Sequence, residues 1–305
     1  MEISRNFTTF APMKQTLTND LLTVEISSHG AELQSILNNR TRHQYLWQGD
    51  PRFWSRRSPV LFPIVGAVWQ GEFRIDGQLF KMSQHGFARD MEFTPVADTP
   101  DDEAWFALES SADTLPRYPR RFRLEIGYRL QGERLTVLWH VTNLDERPMD
   151  FQIGAHPAFN YPAFNPTDPL HGYFMFDSRR LSRQTITDGG CVGPDESPVM
   201  LDDDRMLPLT ATTFASDAII LAGSQVRRVS LLTPDHRPYL SMLFDAPVVG
   251  LWSPNPEAPF VCIEPWWGRA DNVGFNGEFS DRPYVNTLHP GQSFSASYMI
   301  IFEDL

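Results

Sequence analysis

Arg121-Phe122-Arg123-Leu124-Glu125-Ile126-Gly127-Tyr128-Arg129-Leu130 alternates almost without a break. Phe122, Leu124, Ile126, Tyr128 and Leu130 fall on one face, and Arg121, Arg123, Glu125 and Arg129 on the other. A period of two marks a half-buried β-strand. Gln131-Gly132-Glu133 turns the chain, and Leu135, Val137, Trp139 and Val141 alternate again. Strands joined by so short a turn are antiparallel, with one face on a core and the other in water.

The same pattern extends in both directions. Leu22 to Ile26 alternates, Ser28-His29-Gly30 breaks it, and Ala31 to Leu37 returns. Glu103 to Glu109 reads as a strand, as do Val226 to Leu232, Tyr239 to Phe244 and Val248 to Trp252. Phe294, Ala296, Tyr298, Ile300 and Phe302 alternate to the end of the chain. Gly71 to Phe80 reads as a hairpin, because Asp76-Gly77 is the favoured two-residue type I′ turn. Pro162 to Asp204 reads as loop-rich, with Asp202-Asp203-Asp204 a solvated turn. Pro59 and Pro63 bracket an apolar run that is an edge segment or a buried irregular loop, since Pro cannot donate to a ladder.

No helical period of ten residues is present, and 25 Pro and 19 Gly break helices more readily than short strands. The expected fold is all-β, a large antiparallel β-sandwich with few or no long helices. No repeat or linker divides the chain, so residues 1–305 are read as one domain.

Composition narrows the partners. The net charge of −12 argues against nucleic acid and against an anionic membrane surface. Cys191 and Cys262 form no CxxC pair, so neither a disulfide framework nor a structural zinc site is indicated. Met1 to Asp20 has no continuous apolar run, and no stretch approaches the ~20 apolar residues of a membrane span. The expected compartment is the reducing cytoplasm.

Three polar segments carry titratable groups beside Gly, Pro and aromatics. Gln84-His85-Gly86-Phe87-Ala88-Arg89 is one. Ile153-Gly154-Ala155-His156-Pro157 is the second, and Pro157 holds the preceding residue extended. Val261-Cys262-Ile263-Glu264-Pro265-Trp266-Trp267-Gly268 is the third. A Glu among apolar neighbours is costly as an anion unless paired, and such surroundings raise a carboxyl pKa. Each residue also has a structural reading: a hydrogen-bonded His at a strand end, or an edge-of-core Glu with two packed Trp.

One Glu and two His permit several chemistries. General acid–base work on a sugar hemiacetal is one. A metal site on His85, His156 and Glu264 is another. Binding without chemistry is a third. A glycosidase needs a second carboxylate beside Glu264, and Asp217 or Asp90 would have to supply it. No HxH, HxxxH or HExxH spacing, phosphate loop or Ser-elbow is present.

The segments Arg56 to Gly66, Gln84 to Arg89, Gly154 to Asn160 and Cys262 to Gly268, in that order, resemble the aldose 1-epimerase (galactose mutarotase-like) family, in its LacX-like branch. The resemblance spans nearly the whole chain and implies a β-supersandwich and a mutarotase without metal or cofactor. It matches Glu264 to the general base, His156 to the general acid and His85 to the second site histidine. Gln84, Arg89 and Asp217 fall where relatives hold the sugar. Many relatives carry Arg directly after the Phe-Pro-x-x-Gly turn. Here that position is Ala67, and Arg56 and Arg57 are the candidates to replace it.

The implied reaction interconverts the α and β anomers of an aldohexose or hexose phosphate by ring opening and closure. A carboxylate and an imidazole suffice, and at the working pH Glu264 is expected ionised and His156 protonated, held so by mutual attraction. The expected partner is a small sugar, with the protein a monomer or a dimer. The alternative is a carbohydrate-binding or sensing protein that kept the pocket without turnover. Trp266 and Phe159 are candidates for a sugar-stacking wall, or plain packing.

Overall fold

The computed structural model describes residues 12–303 except Asp188. The N-terminal reading of Met1 to Asp20 therefore falls in part outside the described residues. Among those described there is no α-helix, only three short 3₁₀ turns, Trp69–Gly71, Ala88–Asp90 and Phe279–Asp281. No described helix is long and apolar enough to cross a membrane.

Two large antiparallel sheets dominate. The nine-stranded sheet is centred on Phe122–Gln131, Arg134–Asn143 and Ser293–Phe302, with Pro238–Phe244 beyond the last. Phe122–Gln131 and Arg134–Asn143 pair over their full length, and the predicted alternation is their burial pattern. The eight-stranded sheet runs Val192–Val199, Leu181–Ile186, Ile219–Ala222, Val248–Trp252, Phe260–Trp267, Ile153–Ala155, Val60–Leu61, with Ala158–Asn160 also paired to Phe260–Trp267. One buried cluster draws Ile126 and Val137 from the first sheet and Leu251, Val261 and Ile263 from the second. Trp139 and Trp267 meet edge to face across it, 5.4 Å between centroids. The two sheets thus share one apolar interior, as a sandwich must.

The second sheet differs from the first in being covered on both faces near its centre. Val261 and Ile263 point into the shared interior. Phe260 and Cys262, one residue out of phase, join a separate cluster with Trp47 and Ala158. Trp266 joins a third with Leu61, Ile220 and Val248. That double burial is why Phe260–Trp267 reads as a continuous apolar run. Gly154 and Gly250, opposite Trp266 and Glu264 on the flanking strands, leave room for the indole. A Cβ at either would lie 2.7 or 2.6 Å from the Trp266 ring.

The predicted hairpin is present as Glu72–Ile75 and Gln78–Lys81, with Asp76 and Gly77 both at positive φ as a type I′ turn requires. Of the two readings left open for the Pro59–Pro63 run, the edge segment holds: Val60–Leu61 is the edge strand of the eight-stranded sheet, and it is buried.

One expectation fails. The region read as loop-rich holds three strands, Tyr173–Phe176, Leu181–Ile186 and Val192–Val199. Val192–Val199 contains Pro194 and Pro198, which a sheet tolerates because this strand lies at the edge. Its middle residues, Pro194 to Glu196, are exposed, so no apolar alternation announces it.

A buried ion pair ties the loops around the second sheet. Arg282 Nε donates to Asp271 Oδ1 at 2.6 Å, with both side chains inaccessible. Asp271 Oδ2 accepts the Trp69 amide at 2.9 Å, and the Asp271 amide donates to Ala67 O at 3.0 Å. Removing one partner leaves the other charge buried, so Arg282→Met is expected to lower unfolding free energy by about 3–5 kcal/mol. Arg282→Met with Asp271→Asn should recover part of that loss in urea denaturation. A loss below about 1 kcal/mol for the single variant would contradict the clamp.

Candidate functional site

Glu264 sits mid-strand in Phe260–Trp267, opposite Gly250, on the face away from the shared interior. His156 lies in the break between Ile153–Ala155 and Ala158–Asn160, its amide held by Pro59 O at 3.2 Å. The next residue, Pro157, accepts from the Ile263 amide at 3.4 Å, which fixes His156 beside the Glu264 strand. His156 Nε2 is 3.2 Å from Glu264 Oε2, and both side chains are almost fully buried.

His85 reaches the same place from a loop and carries φ +69. Its amide donates to Gly66 O at 2.9 Å, and the Gly66 amide donates back to His85 Nδ1 at 3.1 Å. Nδ1 therefore carries the lone pair and Nε2 the proton. The His85 ring stands edge-on to His156, 5.6 Å between centroids. Gly86 at φ +73 passes so close to Phe62 that a Cβ there would lie 2.2 Å from its carbonyl oxygen. Only glycine permits this approach, which presses the His85 loop onto the sheet.

The three groups line a cavity of about 350 Å³. Trp54 stacks on His156 at 4.7 Å and 29°, and Trp252 meets it edge-on at 5.5 Å. Trp266 forms another wall, while Phe159 is wholly inside the core and takes no part. The adjacent tryptophans thus divide: Trp266 faces the cavity and Trp267 packs on Trp139. Trp54 and Trp252 were not singled out from the sequence. Trp54 stands two residues before Arg56 and Trp252 ends a strand, but no linear spacing ties either to His156.

Gln84, Arg89 and Asp217 also line the cavity. Arg89 donates from Nη2 to Gln84 O at 2.8 Å, while its Nε is buried without a hydrogen bond. Burial first, then the Arg56 charge, pushes Arg89 down to about 10. Asp217 is exposed at φ +70, on the turn where its amide donates to Phe214 O. Arg56 is outside the lining and pairs with Asp90 at 2.9 Å, though its charge is felt by both histidines. The reading of Arg57 as a substrate contact is corrected: its Nε donates to Gln48 O at 2.9 Å and its Nη1 to Gln34, outside the cavity wall.

The electrostatics correct a second expectation. Burial dominates at every group. It pushes Glu264 well above the carboxylate range, helped by the Asp217 charge and opposed by the Trp266 indole. That indole N–H nears the carboxylate but makes no standard hydrogen bond. Burial also lowers His156 to about 3, aided by the charges of Arg89 and Arg56. His85 falls well below its usual value, from burial first, then because charging it beside His156 is unfavourable, and then from the Arg89 and Arg56 charges. Desolvation works against the charged form of each group, so burial favours the neutral pair, with the proton on Glu264, over the ion pair. The ion pair and the neutral pair hold the same single proton, differing only in which residue carries it.

The metal reading drew on His85, His156 and Glu264. The donor atoms within 4.8 Å of one another belong instead to His156, Cys262 and Glu264. Gly66 takes up His85 Nδ1. Burial pushes the Cys262 thiol well up, away from the thiolate that binds metals. The three residues named from the sequence are therefore not the ligand set that the fold assembles.

The aldose 1-epimerase family profile matches residues 13–298. The chain belongs to the aldose 1-epimerase family. The chromosomal protein LacX of Lactococcus lactis subsp. lactis is 31% identical over 294 residues, covering 93% of this chain and 97% of that protein. A solved galactose mutarotase related enzyme from Lactobacillus acidophilus is 32% identical, with a TM-score of 0.88 over 95% of this chain and 97% of that one. A galactose mutarotase-like protein from Lactobacillus casei ATCC 334 is 30% identical, with a TM-score of 0.88 over 95% and 99%. Membership in this epimerase family supports a carbohydrate epimerase role, and the shared fold is the galactose mutarotase-like sandwich.

The tautomer and charge of the two histidines can be read directly. Imidazole ¹⁵N spectra near neutral pH are expected to show both neutral, with His85 as the Nε2–H form. An imidazolium signal from either residue at pH 6, where an ordinary histidine is largely charged, would contradict the burial argument.

Proposed function

We propose that the protein interconverts the α and β anomers of an aldohexose, free or as its phosphate ester, with Glu264 and His156 as the proton-transfer pair. The observation that carries this reading is a carboxyl and an imidazole 3.2 Å apart, both almost fully buried and both lining one cavity walled by three tryptophans.

The proton balance closes over one cycle. In the ion-pair form Glu264 takes the proton from the C1 hydroxyl while His156 gives its own to the ring oxygen. The C1–ring-oxygen bond breaks, the aldehyde forms, and the pair is left neutral. Rotation about C1–C2 turns the other face of the aldehyde to the C5 hydroxyl. His156 then takes the C5 hydroxyl proton, the ring closes, and Glu264 returns a proton to O1. Opening converts the ion pair to the neutral pair and closing restores it. Burial, which favours the neutral pair, therefore stabilises the enzyme state that accompanies the open sugar.

In this reading His85 donates its Nε2–H to a sugar oxygen. Gln84, Arg89 and Asp217 hold hydroxyls at the mouth, and Trp54, Trp252 and Trp266 supply the apolar walls that sugar C–H faces require. The Arg89 Nε, 3.9 Å from Asp90 Oδ2 and without a hydrogen bond, is a donor left to be satisfied.

Polarimetry on freshly dissolved α-D-glucose, α-D-galactose and glucose 6-phosphate tests the proposal. At least one should anomerise faster with the protein, and Glu264→Gln and His156→Ala should each reduce that rate roughly 10²–10⁴-fold. An unchanged rate in Glu264→Gln would exclude the mechanism. Saturable sugar binding without acceleration of any sugar would favour the non-catalytic carbohydrate-binding reading.

Catalysis needs one proton on the pair. Acid adds a second, to His156, and base removes the last, from Glu264. The first limb is depressed and the second raised, so kcat should be flat through neutrality. An acid limb near 6.5, the value of an ordinary histidine, would count against the buried pair.

A further inference from the structure

A second cavity, of about 260 Å³, lies on the other side of two short connections. Trp252 lines the first cavity and Ser253 the second; Asp217 lines the first and Phe214 the second. The two cavities share no lining residue.

The linings differ in kind. The first carries Arg89, Asp217 and Glu264. No Lys, Arg, Asp or Glu lines the second. Its walls bring the aromatic rings of Tyr161 and Phe214 together with Thr210, Ser253 and Asn255. Aromatic faces beside hydroxyl and amide groups, with no fixed charge, match a neutral ring that offers C–H patches and hydroxyls.

His171 is the decisive group. It lines this cavity, is only 5% exposed, and its Nδ1 is buried without a hydrogen-bond partner. The ring is held against Phe164 and Tyr161, with centroids at 4.7 and 5.4 Å, and its backbone amide is tied to Leu209 O at 2.9 Å. Buried polar atoms are nearly always bonded, and an orphan is costly to keep. Burial also lowers the His171 pKa, which favours the neutral imidazole. That form has one donor and one acceptor, which suits a hydroxyl better than an anion.

We propose that this cavity is a second binding site, distinct from the Glu264 pocket, for a neutral hydroxylated ring such as a non-ionic saccharide, with His171 as its polar anchor. The site stands on its own lining and requires no turnover at Glu264.

Methyl α-D-glucopyranoside is a suitable probe, because its blocked anomeric centre prevents mutarotation. NMR titration of the full-length protein should show saturable shifts at the His171 imidazole and the Ala258 amide. The same shifts should persist in Glu264→Gln. Asn255→Ala, at an exposed side chain whose Oδ1 accepts the Glu257 amide at 2.9 Å, should weaken the Ala258 response roughly tenfold, as should His171→Phe. Titration with indole under the same conditions separates the ligand classes. If the glycoside moves only signals of the Glu264 pocket, or Asn255→Ala and His171→Phe leave its affinity unchanged, the site is excluded. Saturation by indole with no response to the glycoside would overturn the saccharide assignment.

Discussion

The structure depends on one costly arrangement, a carboxyl and an imidazole buried against each other in the second sheet. Two charges in such a place carry a desolvation penalty of several kcal/mol each, which their attraction need not repay. A single shared proton avoids most of that penalty, because the pair can rest neutral. Burial thereby turns the mutual attraction expected from residue types into a proton held in reserve. Trp54, Trp252 and Trp266 line the same cavity as both groups.

The rest of the architecture keeps this pair in register. Glu264 is fixed by a strand with neighbours on both sides, so its position is set by ladder hydrogen bonds and not by a loop. His156 is fixed by the Pro157 step and by the edge strand that follows Arg57 and Ser58. His85 is the least regular member. It relies on Gly66 for its tautomer, on Gly86 for its close approach, and on the Asp271–Arg282 clamp for the loop that contains Gly66. Glu264, His156 and His85 thus come from a strand, a turn and a loop, and they meet at one cavity.

Local and global charge point in opposite directions. The protein carries a net −12, yet the charges felt by the site histidines come from Arg56 and Arg89. These two charges act over short, largely buried paths, while the acidic surface is screened within about 8–10 Å. The acidic total therefore says little about the cavity.

The alternating strands were legible because period-two burial is written residue by residue. Phe122–Gln131, Arg134–Asn143 and the Asp76-Gly77 hairpin follow directly from it. Glu264, His156 and His85 were legible as unusual polar residues in apolar, Gly- or Pro-marked segments, and the family resemblance joined them. Val192–Val199 was not legible, because an edge strand with exposed polar residues and two prolines looks like a loop. The separation of Trp266 from Trp267, the diversion of Arg57 to Gln48 and Gln34, and the stacking of Trp54 on His156 were not legible either. By itself the sequence determined an all-β sandwich and the chemical types present at its site. Only the tertiary structure decided which of those groups meet and which form burial favours, because desolvation depends on everything packed around a group and not on its neighbours in the chain.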